Sequence, residues 1–355
     1  MKILSHSPAS ADKLLDAILS LKPFRSDAAD HSSPLLSNDN SNTFIIANED
    51  KKGIPSDISI QTLIHGCPGS GKSYMLTQWA GQVSKHIPVV FHPETTYADF
   101  MGVFRPYPVY DPEVNHLVTA SGAVFEEGQP YITYKFVPGP LLEAYCFAVS
   151  NPEESVALTI EELSRANASL VFGDTLQLLD RDDSGRSSYT ITPKPEVYDY
   201  LLRHQLIEAG REGICFPPNL FIWATMNRSD QNARQLDAAF LRRWTKLYLS
   251  FEEPSAYGND KVAVPGGSLE WDELRARLNE KLIGLSPEDK FIGPYFLPRR
   301  ALGNRDEFAE DLLGYLWNDV LKTRAPEFFK YRTLSTVLKV WREGSDNPFR
   351  EISLD

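Results

Sequence analysis

The residues from Gly66 to Ser73 have the types and the spacing of a phosphate-binding loop. Glycines let the main chain turn tightly, so that successive N–H groups can point at phosphate oxygens. At the end of such a loop, Lys72 can reach the β- and γ-phosphates and the Ser73 hydroxyl can ligate Mg²⁺. The run predicts a site for a nucleoside triphosphate with magnesium, formed by Gly66, Cys67, Pro68, Gly69, Ser70, Gly71, Lys72 and Ser73.

The segments on either side of this loop are those that a phosphate-binding loop requires. Residues 58–64 are rich in β-forming side chains and predict a strand that enters the loop. Residues 73–83 predict a helix that leaves it, so the positive end of the helix dipole would face the phosphates. This strand–loop–helix order favours the phosphate-binding interpretation over a chance Gly/Pro turn.

Two carboxylates stand at the end of the apolar residues 155–161. If these residues form a neighbouring strand of a parallel sheet, Glu161 and Glu162 come to lie beside the phosphate loop. Glu161 would then hold the Mg²⁺ shell, and Glu162 would orient or deprotonate the attacking water. Acidic residues also end many strands at a protein surface, and this pattern alone leaves that alternative open.

A third predicted strand is followed by Asn227, and a later helix closes with Arg242 and Arg243. Asn227 could hydrogen-bond the attacking water and the γ-phosphate, or could be an ordinary polar residue after a strand. The two arginines could complement the negative end of their helix, or could enter a neighbouring subunit's site and stabilise transition-state charge. The predicted catalytic residues are Glu162, Asn227, Arg242 and Arg243, and the predicted metal ligands are Ser73 and Glu161.

Strands and helices alternate from Thr43 to about Glu253. This alternation predicts a parallel sheet with helical crossovers, that is, a three-layer α/β domain. An insertion, roughly Tyr107 to Val137, has β character in residues 131–136. The predicted strands are residues 58–64, 89–92, 155–161, 220–225 and 245–251, and the predicted helices are residues 73–83, 141–149, 170–179 and 236–243.

Changes in composition divide the chain into three regions. Leucine and isoleucine at helical spacing in residues 11–21 predict a short helix, and the Ser/Asn/Asp/Pro-rich residues 31–42 predict a linker. The Gly/Pro-rich residues 254–268 mark a second boundary. The predicted regions are an N-terminal helix and linker (1–43), an α/β nucleotide-binding domain (44–253) and a mostly helical lid (254–355) with helices over 271–283, 308–321 and 334–341.

Composition and charge limit the possible functions. The 355 residues suffice for one large or two ordinary domains, and 42% apolar and 24% charged residues are typical of globular proteins. A net charge of −12 argues against a chain that coats nucleic acid through its overall field. Three scattered cysteines give no disulfide framework, and no apolar run approaches the roughly 18 residues of a membrane span. We therefore expect a cytoplasmic protein without a membrane segment.

The order of the motifs, namely phosphate loop, acidic strand end, asparagine strand end and paired arginines, resembles that of the AAA+ ATPases. Further segments narrow the resemblance to the McrB-like branch, over about residues 58 to 300. These segments are residues 91–106 (F-H-P…Y-A-D-F…G…R-P), 161–167 (E-E-L-S-R-A-N, similar to the family's D-E-I-N-R-A-N), 226–232 (M-N-R-S-D-Q-N), 237–244 (D-A-A-F-L-R-R-W) and 292–296 (I-G-P-Y-F, similar to I-G-H-S-Y-F).

This resemblance implies a three-layer P-loop AAA+ domain with a parallel sheet, followed by a mostly helical lid. It also implies hydrolysis of a nucleoside triphosphate between the subunits of a ring, which we expect to be a hexamer. McrB itself uses GTP, so the resemblance leaves GTP possible here. This chain has no N-K-x-D run of the Ras-like kind, and we expect ATP with Mg²⁺. In the implied site, Lys72, Ser73, Glu161, Glu162 and Asn227 act within one subunit, and Arg242 and Arg243 act across the interface.

The sequence departs from the family pattern in three places. Glu161 replaces the usual Asp, and its extra methylene favours a water-mediated contact with Mg²⁺. Ser164 replaces the usual Asn before Arg165, which could be a second trans-acting arginine or only a salt-bridge residue. The roughly 43 residues before the core lack the aromatic or basic character of a DNA-reading module, so we expect none in this chain.

The function that the resemblance implies is that of the motor subunit of a McrBC-like restriction or phage-defence complex. A separate McrC-like nuclease or other effector would be its partner, and DNA would be reached through the complex. The alternative is a MoxR-like AAA+ remodeller that acts on protein partners without DNA. A third possibility, nucleotide binding without turnover, follows from the Glu161 substitution.

Overall fold

The computed structural model of the chain describes residues 58–111, 129–210, 213–227 and 236–354. The predicted N-terminal helix and linker, and most of the 226–232 segment, lie outside the described residues. In chain order the first elements are β1 (Gln61–Gly66), α1 (Lys72–Ala80), β2 (Lys85–Val90), α2 (Tyr97–Met101), β3 (Gly102–Asp111), β4 (Gln129–Pro138), α3 (Pro140–Ser150), β5 (Val156–Glu161), α4 (Ala168–Phe172), α5 (Pro195–Arg203), β6 (Leu220–Met226), α6 (Ala238–Leu241) and β7 (Thr245–Leu249).

Five of these strands form one parallel sheet in the order β2-β5-β6-β1-β7. Successive side chains of a strand point to opposite faces, and in β1 Leu63 enters one buried cluster while Ile64 enters another. Helix α3 supplies Leu141 to the first cluster, and α1 supplies Leu76 to the second. Helices therefore cover both faces of the sheet, and the predicted three-layer parallel α/β fold is confirmed.

The sheet topology places the predicted site. Because β1, β5 and β6 run in the same direction side by side, their carboxyl ends meet at one edge of the sheet. The phosphate loop follows β1, the glutamate pair ends β5, and Asn227 follows β6. Ligands of such sheets bind at this edge.

Strand β2 begins four residues earlier than the sequence predicts. The prediction started at Val89, where the apolar run begins, whereas the strand starts at Lys85. This strand lies at the edge of the sheet, where charged residues and Pro88 are tolerated because one side of the backbone faces outward. Apolar content is a poor guide to the limits of an edge strand.

The predicted helix over residues 170–179 is divided in two. Its first part, α4, is capped by Asn167, whose side chain accepts a hydrogen bond from the Leu170 N–H group. Gly173, with a φ of 51°, ends it, and the chain continues as a 3₁₀ helix, Gly173–Leu179. A further helix, α5, which begins with Pro195 at its first position, was not predicted.

The insertion between β2 and β5 contains a two-stranded antiparallel ribbon of β3 and β4, separate from the main sheet. The β character predicted for residues 131–136 is confirmed. Phe136 is buried at the base of the ribbon and packs against Tyr200, with ring centroids 5.1 Å apart. Farther out on the same face, Ile132 and Tyr134 are 74% and 68% exposed, so this face is apolar and open.

The remaining elements build a second core. In α7, Trp271, Leu274, Leu278 and Leu282 recur at helical spacing and are buried. The Gly/Pro-rich stretch predicted as a boundary contains a hairpin that turns at Gly266, with a φ of 89°. These elements are β8 (Lys261–Val264), β9 (Gly267–Glu270), α7 (Trp271–Leu282), α8 (Arg305–Phe308), α9 (Ala325–Phe328) and α10 (Leu334–Glu343).

The predicted helix over residues 308–321 starts earlier and is irregular. Asn304 caps α8, and its side-chain oxygen accepts from the N–H groups of Asp306 and Glu307. The helix then continues through two π-helical stretches, Ala309–Leu313 and Leu316–Leu321. The predicted mostly helical character of this part of the chain is confirmed. In the four described ranges, no helix is both long and apolar enough to cross a membrane.

Candidate functional site

The Lys72 side chain lies inside the phosphate loop. Its Nζ donates to the main-chain carbonyl oxygens of Gly66 at 3.0 Å and Cys67 at 2.8 Å, and the residue is buried. Gly71 precedes α1 with a φ of 93°, a left-handed conformation that glycine adopts without strain. The loop thus brings its one ammonium group to the amino end of a helix, where phosphate is favoured electrostatically.

The Cys67 side chain packs into the second core. It is buried among apolar residues of that core. Burial raises the pKa of the Cys67 thiol to about 11, against a smaller opposing effect of Lys72. The thiol is therefore protonated near neutral pH, and Cys67 acts as a packing residue that joins the loop to the second core.

Ser73 and Glu161, the two predicted metal ligands, are in direct contact. The Ser73 hydroxyl donates to the Glu161 carboxylate at 2.6 Å. This hydrogen bond connects the first turn of α1 to the end of β5. In the part of the chain that the structure describes, no three His, Cys, Asp or Glu residues cluster as a metal site. Mg²⁺ nevertheless needs few protein ligands when phosphates and water supply the others, and a hydroxyl with one carboxylate is sufficient. The residues present therefore fit Mg²⁺.

This contact leads to a prediction about magnesium demand. In Ser73→Ala, we expect the Mg²⁺ concentration for half-maximal hydrolysis to rise about tenfold or more, because one oxygen ligand is lost. A magnesium titration of phosphate release measures it. Thr77→Ala, which removes a hydroxyl that bonds to the Ser73 carbonyl oxygen one turn along α1, is the matched control. An unchanged titration midpoint in Ser73→Ala would contradict the assignment of the ligand.

Glu162 is held by polar partners from the end of β6 and from the 3₁₀ turn that follows β5. Its backbone adopts a φ of 58°, which is unusual for a non-glycine residue and turns the chain sharply after β5. Asn227 donates its amide to one carboxylate oxygen at 3.3 Å, and Arg165 donates to the other at 3.1 Å. The Glu162 N–H group also donates to the Thr225 hydroxyl at 3.4 Å. The carboxylate is fixed in direction at the edge where a triphosphate would end.

Asn227 has a second polar side-chain atom, the amide oxygen Oδ1. Its Oδ1 is buried and has no hydrogen-bond partner among the residues that the structure describes. The main-chain oxygen of Asn227 accepts from the Ser164 hydroxyl at 3.2 Å, which fixes the residue beside Glu162. A buried acceptor without a partner is costly, and a water molecule between Asn227 and Glu162 would satisfy it.

The two predicted arginines differ in their surroundings. Arg243 is 10% exposed and forms an ion pair with Asp180 at 3.0 Å. It also donates to the carbonyl oxygen of Ala239 at 2.6 Å, and its own carbonyl oxygen accepts from Gln61. Arg242 is exposed, and among the described residues it has no ion-pair partner. The structure thus ties Arg243 to its own chain and leaves the Arg242 guanidinium outward.

Sequence reasoning missed the residues that position these groups. The partners of Glu162 lie in two segments, the end of β6 and the turn after β5. Thr225 was not singled out, and only the likeness of residues 161–167 to a family motif pointed to Arg165. Asp180, the partner of Arg243, stands in a segment to which no function was assigned. Residues 292–296 contact the phosphate loop. They were noticed only for their likeness to a family motif, and that likeness does not indicate the contact.

A lysine-containing loop between β1 and α1, a hydroxyl–carboxylate pair and a second oriented carboxylate define the class of this protein as a P-loop nucleoside triphosphatase. The family model of the AAA domain, dynein-related subfamily, matches residues 61–244, more than half of the chain. The chain belongs to this AAA+ family, and the predicted recognition is confirmed.

Two relatives come from restriction systems. The chain is 36% identical over 325 residues to the type II restriction enzyme BsuMI component YdiS of Bacillus subtilis, covering 86% of this chain and 94% of that protein. It is 26% identical over 245 residues to the type IV methyl-directed restriction enzyme EcoKMcrB subunit of Escherichia coli, covering 66% of this chain. The match spans 45% of that subunit. Both relatives support the McrB-like assignment.

Proposed function

We propose that this chain is the motor subunit of a McrBC-like restriction system, in which it hydrolyses ATP at the interfaces of a ring. The observation that carries the proposal is the meeting of Lys72, the Ser73–Glu161 pair and the Glu162–Asn227 pair at one edge of the sheet. The relationship to two restriction-system proteins supports the biological setting, a restriction or antiviral defence system in the cytoplasm.

Each group has a distinct task in this proposal. Lys72 and the main-chain N–H groups of the loop bind the β- and γ-phosphates. Ser73 and Glu161 would hold Mg²⁺, which neutralises charge on the phosphates when bound. Glu162 accepts the proton of the attacking water, and Asn227 orients that water through its buried oxygen.

The site is incomplete within one chain. Transition-state charge on the γ-phosphate needs a further cation, and Arg242 is exposed and has no ion-pair partner among the described residues. We assign to Arg242 the role of completing a neighbouring subunit's site, and to Arg243 the role of fixing the end of α6 through Asp180. A closed ring, which we propose to be a hexamer, supplies every site with such a neighbour.

The partner that we propose is a separate nuclease subunit of the McrC kind or another effector, through which the complex acts on DNA. ATP is the proposed substrate, with GTP as the alternative. The test combines phosphate release with either nucleotide and light scattering after size exclusion. We expect turnover, faster with ATP, and a shift from small species to a ring when a non-hydrolysable analogue is added. A monomer under both conditions would overturn the ring.

A direct test of the partner starts from the genes beside that of this chain, one of which we expect to encode a nuclease. We expect the purified nuclease to bind the nucleotide-loaded ring and to stimulate phosphate release. Stimulation by a protein of the metal-ion-adhesion type in place of a nuclease would support the remodeller instead, and no stimulation by the nuclease would count against the restriction assignment.

A further inference from the structure

Residues 292–296, which follow α7, lie directly against the phosphate loop. The Gly293 N–H group donates to the carbonyl oxygen of Pro68 at 3.0 Å, and the Tyr295 N–H group donates to that of Gly69 at 2.7 Å. These are main-chain to main-chain hydrogen bonds between the second core and the loop. We call residues 292–296 the docking segment.

The contact is too close for side chains. A Cβ atom on Gly293 would lie 2.5 Å from the Ser70 nitrogen and 2.6 Å from the Gly69 oxygen. A Cβ atom on Gly69 would lie 2.8 Å from the Cβ of Phe296, and closer still to the Phe296 main chain. Two glycines thus face each other where the two segments meet, and no other residue fits at either position without a shift of the backbone.

The docking segment is itself firmly attached to the second core. The buried Asn279 amide donates to the Ile292 carbonyl oxygen at 2.9 Å and accepts from the Ile292 N–H group at 2.8 Å. The buried Trp271 indole donates to the Pro294 carbonyl oxygen at 2.9 Å. The Phe296 ring packs on Tyr315, with ring centroids 4.6 Å apart. The segment is therefore a rigid support and not a loose loop.

Peptide geometry shows what this support does to the loop. In a trans peptide the carbonyl group and the following N–H group point in opposite directions. When the docking segment takes the Pro68 and Gly69 carbonyl oxygens, the Gly69 and Ser70 N–H groups must point to the other side. On that side the Ser70 N–H group donates to the Cys67 carbonyl oxygen within the loop at 3.2 Å, so the Gly69 N–H group is the one that this geometry turns toward a phosphate.

We propose that the docking segment is a positioning element for the phosphate loop, with Gly293 as its positioning residue, which presents the loop N–H groups to the nucleotide phosphates. The proposal rests on the nucleotide-binding site described above. The loop is hydrogen-bonded to the second core. Binding of phosphates to the loop N–H groups therefore affects that core through the peptide groups that they share. Gly293 touches neither nucleotide nor metal and acts only through the loop.

The test compares Gly293→Ala with Gly303→Ala. Gly303 is exposed and directly follows Leu302 of the same core, and a Cβ atom there would meet nothing within 4 Å. We expect Gly293→Ala to weaken binding of a fluorescent ATP analogue about tenfold, which corresponds to about 1.4 kcal/mol, and to raise KM more than it lowers kcat. We expect Gly303→Ala to bind as the wild type does. Circular dichroism and thermal unfolding show whether each variant is folded.

Equal affinity of a folded Gly293→Ala and the wild type would overturn the positioning role. If the variant does not fold, hydrogen exchange of the wild type decides. We expect a non-hydrolysable ATP analogue to slow exchange of the Gly293 and Tyr295 N–H groups together with those of the loop. Protection of the loop alone would refute the coupling. A wild type that binds no nucleotide at all would refute the proposed function instead.

Discussion

Glu162→Gln is expected to lower the rate of phosphate release about 10²- to 10⁴-fold, the usual contribution of a general base. The amide keeps the size of the side chain and its contact with Asn227, but it cannot accept the proton of the attacking water. Nucleotide affinity should therefore stay close to that of the wild type. Single-turnover phosphate release and binding of a fluorescent analogue measure the two quantities separately.

Glu153→Gln is the matched control for this substitution. Glu153 is exposed and precedes the opposite end of the same strand, β5, so the change in charge is identical while the site is untouched. We expect wild-type turnover. Equal rates of phosphate release for the wild type and Glu162→Gln would mean that Glu162 is not the general base of a hydrolysis reaction.

Arg242→Ala is expected to reduce turnover of the assembled ring about 10³-fold or more, the range found for arginine fingers, without loss of nucleotide affinity. Arg243→Ala should act differently. Loss of its ion pair with Asp180 removes a largely buried contact, and we expect a stability loss of about 2 kcal/mol, seen as a lower denaturant midpoint. Non-additive losses in Arg243→Ala combined with Asp180→Ala would identify the pair as the cause.

Mixing two inactive variants tests whether the site is shared. Subunits with Arg242→Ala keep Glu162, and subunits with Glu162→Gln keep Arg242. In a randomly mixed ring, about a quarter of the interfaces join the two intact groups, because each group is present in half of the subunits. We expect turnover to return on mixing. Mixed samples that stay inactive, although they assemble, would place both residues in the same subunit's site.

The parts of the molecule that local patterns define could be predicted from the sequence. The phosphate loop needs glycines, Lys72 and Ser73 in consecutive positions, and the direction of the parallel strands then brings Glu161 beside it. The docking of Gly293 on the loop could not be predicted in this way. It depends on how the two cores meet, more than 200 residues apart in sequence, and neighbouring residues do not encode that meeting.

The distinction between the two arginines shows the same limit. Arg242 and Arg243 are adjacent and chemically identical, so the sequence treats them alike. Only the position of Asp180 after the 3₁₀ helix separates them, because it gives Arg243 a partner within the chain. Strand limits failed for a related reason: β2 lies at the edge of the sheet, which the local composition of Lys85 and His86 does not reveal.

Among the described residues, neither outer edge of the ribbon of β3 and β4 has a neighbouring strand. Such edges allow further strands to add on. Pro106 and Pro108 in β3 pair with Tyr134 and Ile132, and Pro138 ends β4 opposite Gly102. These three prolines and Pro130, which pairs with Tyr110, fall at alternate positions of the ladder, where backbone nitrogens point outward. Proline has no N–H group to offer there. A foreign strand would find gaps in the row of donors on either side. The protein can thus display an apolar ribbon in water while resisting edge-to-edge aggregation.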